Sequence, residues 1–332
     1  MSALVVGLGS IGCRHLRNLY TLGVRDLSAF RSRNLPLSGD IPPDVKIFKD
    51  YQTALLKKPE VVVIANPSAL HLPYAKQAVE AGCSVYLEKP ISNSLEGVSV
   101  LEALAASQNV KVLVGCQFRF HTHLEKIKEW MEEKKWGHIF SVVVDTGEYL
   151  PDWHPWEDYR ESYAARKKLG GGVLLTQIHD LDYLYWLFGP IEKVFAMGGQ
   201  LTPLQLDVED TALVSLLTQN QTPIQLRTDY WRKPPVKRLH AVCEKGEIFW
   251  DYHARSLKVL HDGKILEHFL LDESWERNQM FLASLKNFLN SVENKETPRV
   301  PLSEGIYVLK LALAIKESML YKKEITVLTG VR

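Results

Sequence analysis

A glycine-spaced turn between a strand and a helix most constrains this chain. Leu4-Val5-Val6 runs directly into Gly7-Leu8-Gly9-Ser10-Ile11-Gly12, and a helical pattern follows at once. G-x-G-x-x-G in that setting is the fingerprint of a dinucleotide-binding βαβ unit. Gly7 permits the tight turn and Gly9 lets the backbone approach a pyrophosphate. Gly12 allows close helix–strand packing, and the helix N-terminus faces the negative charge. Leu8, Ser10 and Ile11 complete this cofactor-binding set. The alternative is a glycine-rich turn with no ligand.

A second feature supports the first. The apolar run Val85-Tyr86-Leu87 closes on Glu88-Lys89-Pro90. A lysine at the end of a strand, downstream of such a fingerprint, supplies a proton-exchanging group at the edge where a nicotinamide ring would lie. Together the two features point to hydride transfer. The competing reading is a lysine ion-paired with Glu88.

Residues 1–120 alternate short β-rich runs with helical patterns, as in a doubly wound parallel sheet of the Rossmann type. The expected strands are Leu4–Val6, Leu27–Phe30, Val45–Phe48, Val61–Ile64, Ser84–Leu87 and Lys111–Val114. Helical stretches such as Leu72 to Ala81, ended by Gly82, separate them. From Gly137 the pattern changes to strands in succession: Ile139–Glu148, Val194–Leu201, Asp210–Thr218, Ile224–Trp231, Arg238–Glu244, Leu257–Leu260 and Ile265–Leu270. Turn signals between them predict an antiparallel sheet. One helix, Val173 to Phe188, interrupts early, and two more near 274–293 and 304–321 finish the chain. The expected division is an α/β dinucleotide-binding domain over 1–120 and an α+β domain over 121–332, whose last helix is free to pack back on the first.

Composition narrows the partners. A net charge of +1 on 332 residues gives no electrostatic case for nucleic acid or an anionic membrane. No stretch is long and apolar enough to span a bilayer. The four cysteines form no C-x-x-C pair and read as small buried hydrophobes in a reducing compartment. A soluble cytoplasmic protein is expected, with no metal site.

NAD-selective sites carry an acidic residue after the second strand to bond the ribose 2′-hydroxyl. Here the strand ends in Arg31-Ser32-Arg33. Two guanidiniums and a hydroxyl suit a 2′-phosphate, so NADP is expected, with NAD as the alternative. Asp26 precedes the strand and reads as a turn residue.

The chain resembles the Gfo/Idh/MocA oxidoreductases over nearly its whole length. The likeness rests on Gly7 to Gly12 with Arg14-His15, on Asn66-Pro67-x-x-x-His71, and on Glu88-Lys89-Pro90. It continues through Gly115-x-Gln117-Phe118-Arg119-Phe120-His121, Gly170-Gly171-Gly172, His179-x-x-Asp182 and a terminal helix after Ser303-Glu304-Gly305. The resemblance implies a Rossmann domain followed by an open-faced antiparallel sheet that mediates a homodimer or homotetramer. It implies catalytic or substrate-orienting roles for Lys89 and His179. It also places Asn66, Pro67, Ser68, His71, Glu88 and Gln117 around the cofactor, and makes a cis Lys–Pro peptide common. Relatives often show an aspartate four residues before the helix histidine. This chain has Thr176 three residues before it, so Thr176 is a candidate substrate contact in the aspartate's place.

Oxidising a carbinol needs a hydride acceptor and a base of near-neutral pKa, and histidine suits the second role. Spacing of three puts Thr176, His179 and Asp182 on one helix face, where Asp182 is placed to orient the His179 ring. Lys89 is placed to stabilise charge on the reacting oxygen or to share the proton. A structural helix histidine is the bland alternative. The segment from Gly147 to Gly170 is rich in aromatics. Tyr149, Trp153, Trp156, Tyr159 and Tyr163 read as a sugar-stacking wall, with Arg119, Arg160 or Arg166 to meet a carboxylate or phosphate. Packing across a dimer interface explains Trp153 and Trp156 equally well. His121 and His123 read as a helix start. The expectation is an NAD(P)-dependent oxidoreductase acting on a sugar, sugar acid or nucleotide-linked sugar. The alternatives are a redox-neutral isomerase or glycoside-cleaving enzyme that retains its cofactor, and a non-enzymatic dinucleotide-binding protein.

Overall fold

The computed structural model describes residues 1–32, 37 and 39–327. The chain folds as two compact units. The first holds 1–117 and 277–306, and the second holds 118–276 and the residues from 307 onward. The segment 277–306 thus groups with the N-terminal unit, where the sequence pattern predicts one domain over 121–332 with only its last helix free to pack back.

The first unit is built on six parallel strands in the order β3-β2-β1-β4-β5-β6. They are β1 (Ser2–Val6), β2 (Asp26–Phe30), β3 (Lys46–Phe48), β4 (Val61–Ile64), β5 (Ser84–Leu87) and β6 (Val112–Val114). All four residues of β4 are fully buried, as a strand covered on both faces requires. The crossovers carry α1 (Ser10–Thr21), α2 (Tyr51–Leu55), α3 (His71–Glu80) and α4 (Val98–Ser107). Strand order reverses between β1 and β4, the switch point at which open α/β sheets bind ligands.

The second unit is a nine-stranded sheet in the order β14-β13-β12-β11-β7-β10-β9-β8-β15. Its strands are β7 (Ile139–Gly147), β8 (Ile191–Gly199), β9 (Thr211–Thr218), β10 (Pro223–Asp229), β11 (Val236–Cys243), β12 (Gly246–Asp251), β13 (Ser256–His261), β14 (Lys264–Leu270) and β15 (Ile325–Thr326). The pairing is antiparallel except between β7 and β10, which run parallel. Cross-strand register puts Val143, Phe195, Met197 and Leu213 on one exposed face. The other face is covered. Helices α5 (Thr122–Glu132), α6 (Val173–Thr176) and α7 (His179–Phe188) belong to this unit.

The chain then returns to the first unit through α8 (Asn278–Val292), and α9 (Leu302–Tyr321) carries it into the second. Leu285 and Phe288 of α8 join Leu16, Leu19, Val61 and Leu113 in the core of the first unit. The Tyr86 hydroxyl meets Ser284 Oγ at 2.9 Å, and Asn18 and Asn278 exchange amide hydrogen bonds. Apolar burial on that scale explains why α8 belongs with α1 and not with the sheet that precedes it. Among the described residues, no helix is long and apolar enough to cross a membrane.

Candidate active site

In the first unit, β1 ends at the fingerprint and the register pairs Val6 with Phe30. The Gly7 N–H donates to Phe30 O at 2.9 Å, so the residues after β2 lie beside the glycine turn. Gly7 has φ +92°, and a Cβ there would lie 2.9 Å from Asn66 N. A Cβ on Gly12 would lie 1.8 Å from Gly7 O. Close backbone packing therefore demands glycine at both positions. Gly9 is different. Its φ of −76° is open to any residue, and a Cβ there would meet no protein atom within 4 Å. The one glycine not held by its neighbours faces open space, and no acidic residue occupies the first turn of α1. Leu8 is buried beneath this turn, while Ser10 and Ile11 open α1. The residues fit a dinucleotide pyrophosphate.

Two loops are tied together beside it. Buried His71 places Nδ1 2.7 Å from Pro90 O and Nε2 2.8 Å from Asn66 O. Burial pushes its pKa down, with both carbonyls acting in the opposite direction. Pro67 caps a short 3-10 turn that begins at buried Ser68. The Lys89–Pro90 peptide is cis. The Glu88 carboxylate lies 2.7 Å from His15 Nε2 of α1 and accepts the Lys89 backbone N–H at 3.3 Å. A Cβ on Gly115 would sit 3.1 Å from that carboxylate, so β6 also closes on it. Gln117 is buried at the end of the unit.

Arg31 and Ser32 follow β2 next to the glycine turn, and Arg31 N–H donates to Phe48 O at 3.2 Å. Arg33 lies outside the described residues. Asp26 is not in a turn. It opens β2 opposite Ser2, at the end of the strand away from Gly7.

In the second unit, the helix expected over Val173–Phe188 is two helices. α6 ends at Thr176, and α7 starts at His179. The Thr176 hydroxyl donates back to Gly172 O at 2.9 Å and also bonds the Tyr230 hydroxyl. Back-bonding of this type bends helices. Thr176 and His179 consequently do not share one continuous helix face, and the Thr176 hydroxyl is committed inside the fold.

The His179 ring packs against Phe118 with centroids 5.2 Å apart. Asp182 does not orient it. The Asp182 carboxylate receives Arg119 Nε at 2.9 Å and Nη2 at 2.7 Å. Arg119 is 0% exposed, so it cannot meet a substrate anion; a bidentate buried pair holds it. Asp180 has a cation of its own, Lys237 of β11, with Nζ 2.6 Å from Oδ1.

The long aromatic connection is ordered by short 3-10 turns at Leu150–Asp152, Tyr159–Glu161, Tyr163–Ala165 and Lys167–Leu169. Tyr149 meets Trp231 edge-on at 5.3 Å, and Trp153 meets Tyr230 at 5.5 Å. Tyr163 is half-buried, while Trp156 is 70% exposed. Arg160 pairs with Asp158 and Arg166 with Glu161. His121 caps α5, its Nδ1 accepting from His123 N at 3.2 Å.

Sequence reasoning gives no role to Asp180, Lys237 or Tyr230, and reads His15 only as part of a motif. Lys237 precedes the strand expected over Arg238–Glu244, although the alternation of β11 puts it in the apolar row of Leu239 and Ala241. Nothing in the spacing identifies its partner.

Residues 1–116 match the oxidoreductase family with an NAD-binding Rossmann fold, and residues 124–249 match the Gfo/Idh/MocA C-terminal domain. The chain belongs to the Gfo/Idh/MocA oxidoreductase family. Myo-inositol 2-dehydrogenase of Thermotoga maritima is 26% identical, over 97% of each chain. The WlbA dehydrogenase of Bordetella pertussis, solved with NADH and UDP-GlcNAcA, shares the fold at a TM-score of 0.82 with 20% identity over 99% of each chain. Levoglucosan dehydrogenase in complex with NADH superposes at 0.87 with 16% identity, again over 99% of each. The Gfo/Idh/MocA fold accounts for both halves of this protein, the six-stranded parallel sheet and the mostly antiparallel one.

Proposed function

We propose that this oxidoreductase transfers a hydride between a nicotinamide dinucleotide held at Gly7–Gly12 and a carbinol or ketone carbon of a sugar or cyclitol. The open space over Gly9, between two glycines locked by packing, carries the cofactor half of this reading. The nicotinamide supplies the hydride acceptor or donor; the protein supplies everything else. His179 takes or returns the hydroxyl proton, and Lys89 stabilises negative charge on the reacting oxygen. Glu88, anchored to α1 by His15, fixes the backbone at Lys89.

Charge bears on the substrate class. All three arginines between 119 and 166 are paired with carboxylates, Arg119 with Asp182, Arg160 with Asp158 and Arg166 with Glu161. The buried Arg119 pair withdraws that one cation from an acidic or nucleotide-linked sugar, whereas Arg160 and Arg166 sit in exposed pairs that a ligand anion displaces at little cost. A neutral polyol agrees with the myo-inositol dehydrogenase among the relatives. Tyr149, Trp153 and Tyr163 are the proposed stacking surface. Arg31 and Ser32, beside the glycine turn, support NADP over NAD, with a guanidinium for the 2′-phosphate. The exposed apolar face of the larger sheet supports a homodimer or homotetramer.

Turnover of myo-inositol, D-glucose and levoglucosan with NAD or NADP tests the reading. Lys89→Met and His179→Ala should each abolish turnover while leaving cofactor affinity within about threefold, a change of under 1 kcal/mol. Full activity in both variants refutes the assignment. Arg31→Ala should weaken NADP more than NAD; equal weakening refutes the NADP preference.

A further inference from the structure

We infer that Lys237 is a positioning residue for His179, acting through a buried ion pair with Asp180 that locks the turn presenting the imidazole. The inference rests on the proposed role of His179.

The first turn of α7 has backbone bonds from Asp180 and Asp182 N–H to Gln177 and Ile178 O, but no side-chain cap. Helix ends fray unless something else fixes them. Two carboxylates in that turn do so, Asp180 and Asp182, and each reaches a cation from another element. Asp182 takes Arg119, the residue after Phe118. Asp180 takes Lys237, which comes from the covered face of the sheet and is 3% exposed. The Lys237 Nζ lies 2.6 Å from Asp180 Oδ1, 3.4 Å from Thr146 Oγ1 and 5.1 Å from the centroid of Phe118. It thereby contacts both neighbours of the His179 ring: the next residue in the chain and the aromatic ring against which the imidazole packs.

Stability alone does not explain a lysine there. A buried ion pair is often no more stabilising than a packed apolar pair of the same volume, and the row Leu239, Ala241 and Cys243 shows what this strand face otherwise contains. The pair contributes a fixed direction to the turn. Removing the cation alone leaves a buried carboxylate to find another partner, and the turn moves with it.

The test compares Lys237→Met, Lys237→Arg and the double variant Lys237→Met/Asp180→Asn. Two readouts are used: the 15N resonances of the His179 ring in the cofactor-free protein, and kcat and KM with myo-inositol, D-glucose or levoglucosan. The double variant carries no unpaired buried charge and is expected to melt within a few degrees of the parent. Its kcat should nevertheless fall at least tenfold with cofactor KM unchanged, and its His179 signals should shift or split. Lys237→Arg should restore both readouts to within about threefold of the parent. A folded double variant with parental kcat and parental His179 resonances overturns the inference, as does a kcat that recovers in step with melting temperature. If His179→Ala keeps full activity, the proposed role of His179 fails instead, and the NMR comparison still decides whether Lys237 positions the ring.

Discussion

Gly9→Ala and Gly12→Ala separate a glycine needed by a ligand from one needed by the fold. At Gly12 the new methyl would sit 1.8 Å from Gly7 O and 2.9 Å from Gly7 C, backbone atoms that cannot swing aside. Overpacking of this kind costs about 1–3 kcal/mol or more, seen as a loss of several degrees in Tm without ligand. At Gly9 the methyl meets no protein atom within 4 Å, and φ −76°, ψ −172° suits alanine. Alanine is a poorer N-cap than glycine by roughly 0.5–1 kcal/mol, and a stiffer unfolded chain returns about 0.4–1 kcal/mol. The ligand-free protein should therefore melt almost unchanged. The same methyl occupies the space reserved for a pyrophosphate, and a tenfold loss of cofactor affinity, about 1.4 kcal/mol, is the minimum expected. Thermal melts with and without NADP at about one hundred times the parental Kd read both quantities. The parent gains about 2.7 kcal/mol from ligand and Gly9→Ala about half of that. Parental ligand stabilisation in Gly9→Ala refutes the placement of the pyrophosphate, and a parental Tm in Gly12→Ala refutes the packing account.

Further outcomes follow from the second unit. Burial pushes His121 down to about 3, with His123 adding to the effect, and burial and His268 push His123 down to about 4. The folded state thus binds fewer protons than the unfolded chain between pH 6.5 and these values. Stability is complete above pH 6.5 and falls with acidification by up to about 1.4 kcal/mol per pH unit for each ring. Urea midpoints at pH 7 and pH 5 should diverge in the parent and converge in His121→Asn/His123→Gln. Arg119→Met leaves Asp182 buried and uncompensated and should destabilise by about 3–5 kcal/mol, whereas Arg119→Met/Asp182→Leu should recover most of that in urea melts. Thr176→Val deprives the buried Tyr230 hydroxyl of a partner, at about 1–3 kcal/mol, and should leave the sugar KM unchanged. A raised KM would show that the threonine faces substrate after all.

The parallel sheet was legible because its signal is local and redundant. Val61-Val62-Val63-Ile64 is a run that only a doubly covered strand or a buried helix explains, and its length decides for the strand. All six strands lie where the apolar runs place them, with ends shifted by a residue or two. In the larger sheet the apolar pattern does not mark two strands. β12 carries Glu247 and Asp251 among its apolar residues, and β15 has only two residues. The parallel pairing of β7 with β10 was equally hidden, since register is decided by strands distant in sequence. The place of α8 in the first unit depends on Leu285 and Phe288 fitting a core formed some two hundred residues earlier in the chain. Periodicity reports which face is apolar and not what will cover it.

Charge pairing was the least legible part of the site, and the reason is physical. Helical spacing names neighbours on the same element, so Asp182 looked like a partner for His179, three residues away. The actual partners come from elsewhere: Arg119 reaches Asp182 across 63 residues and Lys237 reaches Asp180 across 57. A cation buried on an apolar strand face must find an anion, because leaving it alone is far more costly than pairing it. Lys237 stands one residue before the strand expected over Arg238–Glu244, so neither its burial nor the acid that answers it is marked by the pattern. The same rule removes Arg119 from the proposed substrate surface. A guanidinium already closed on a carboxylate would have to surrender that bond to grip a ligand anion. For Arg119, with no solvent to replace the bond, the exchange is unfavourable, whereas the exposed pairs of Arg160 and Arg166 exchange at little cost.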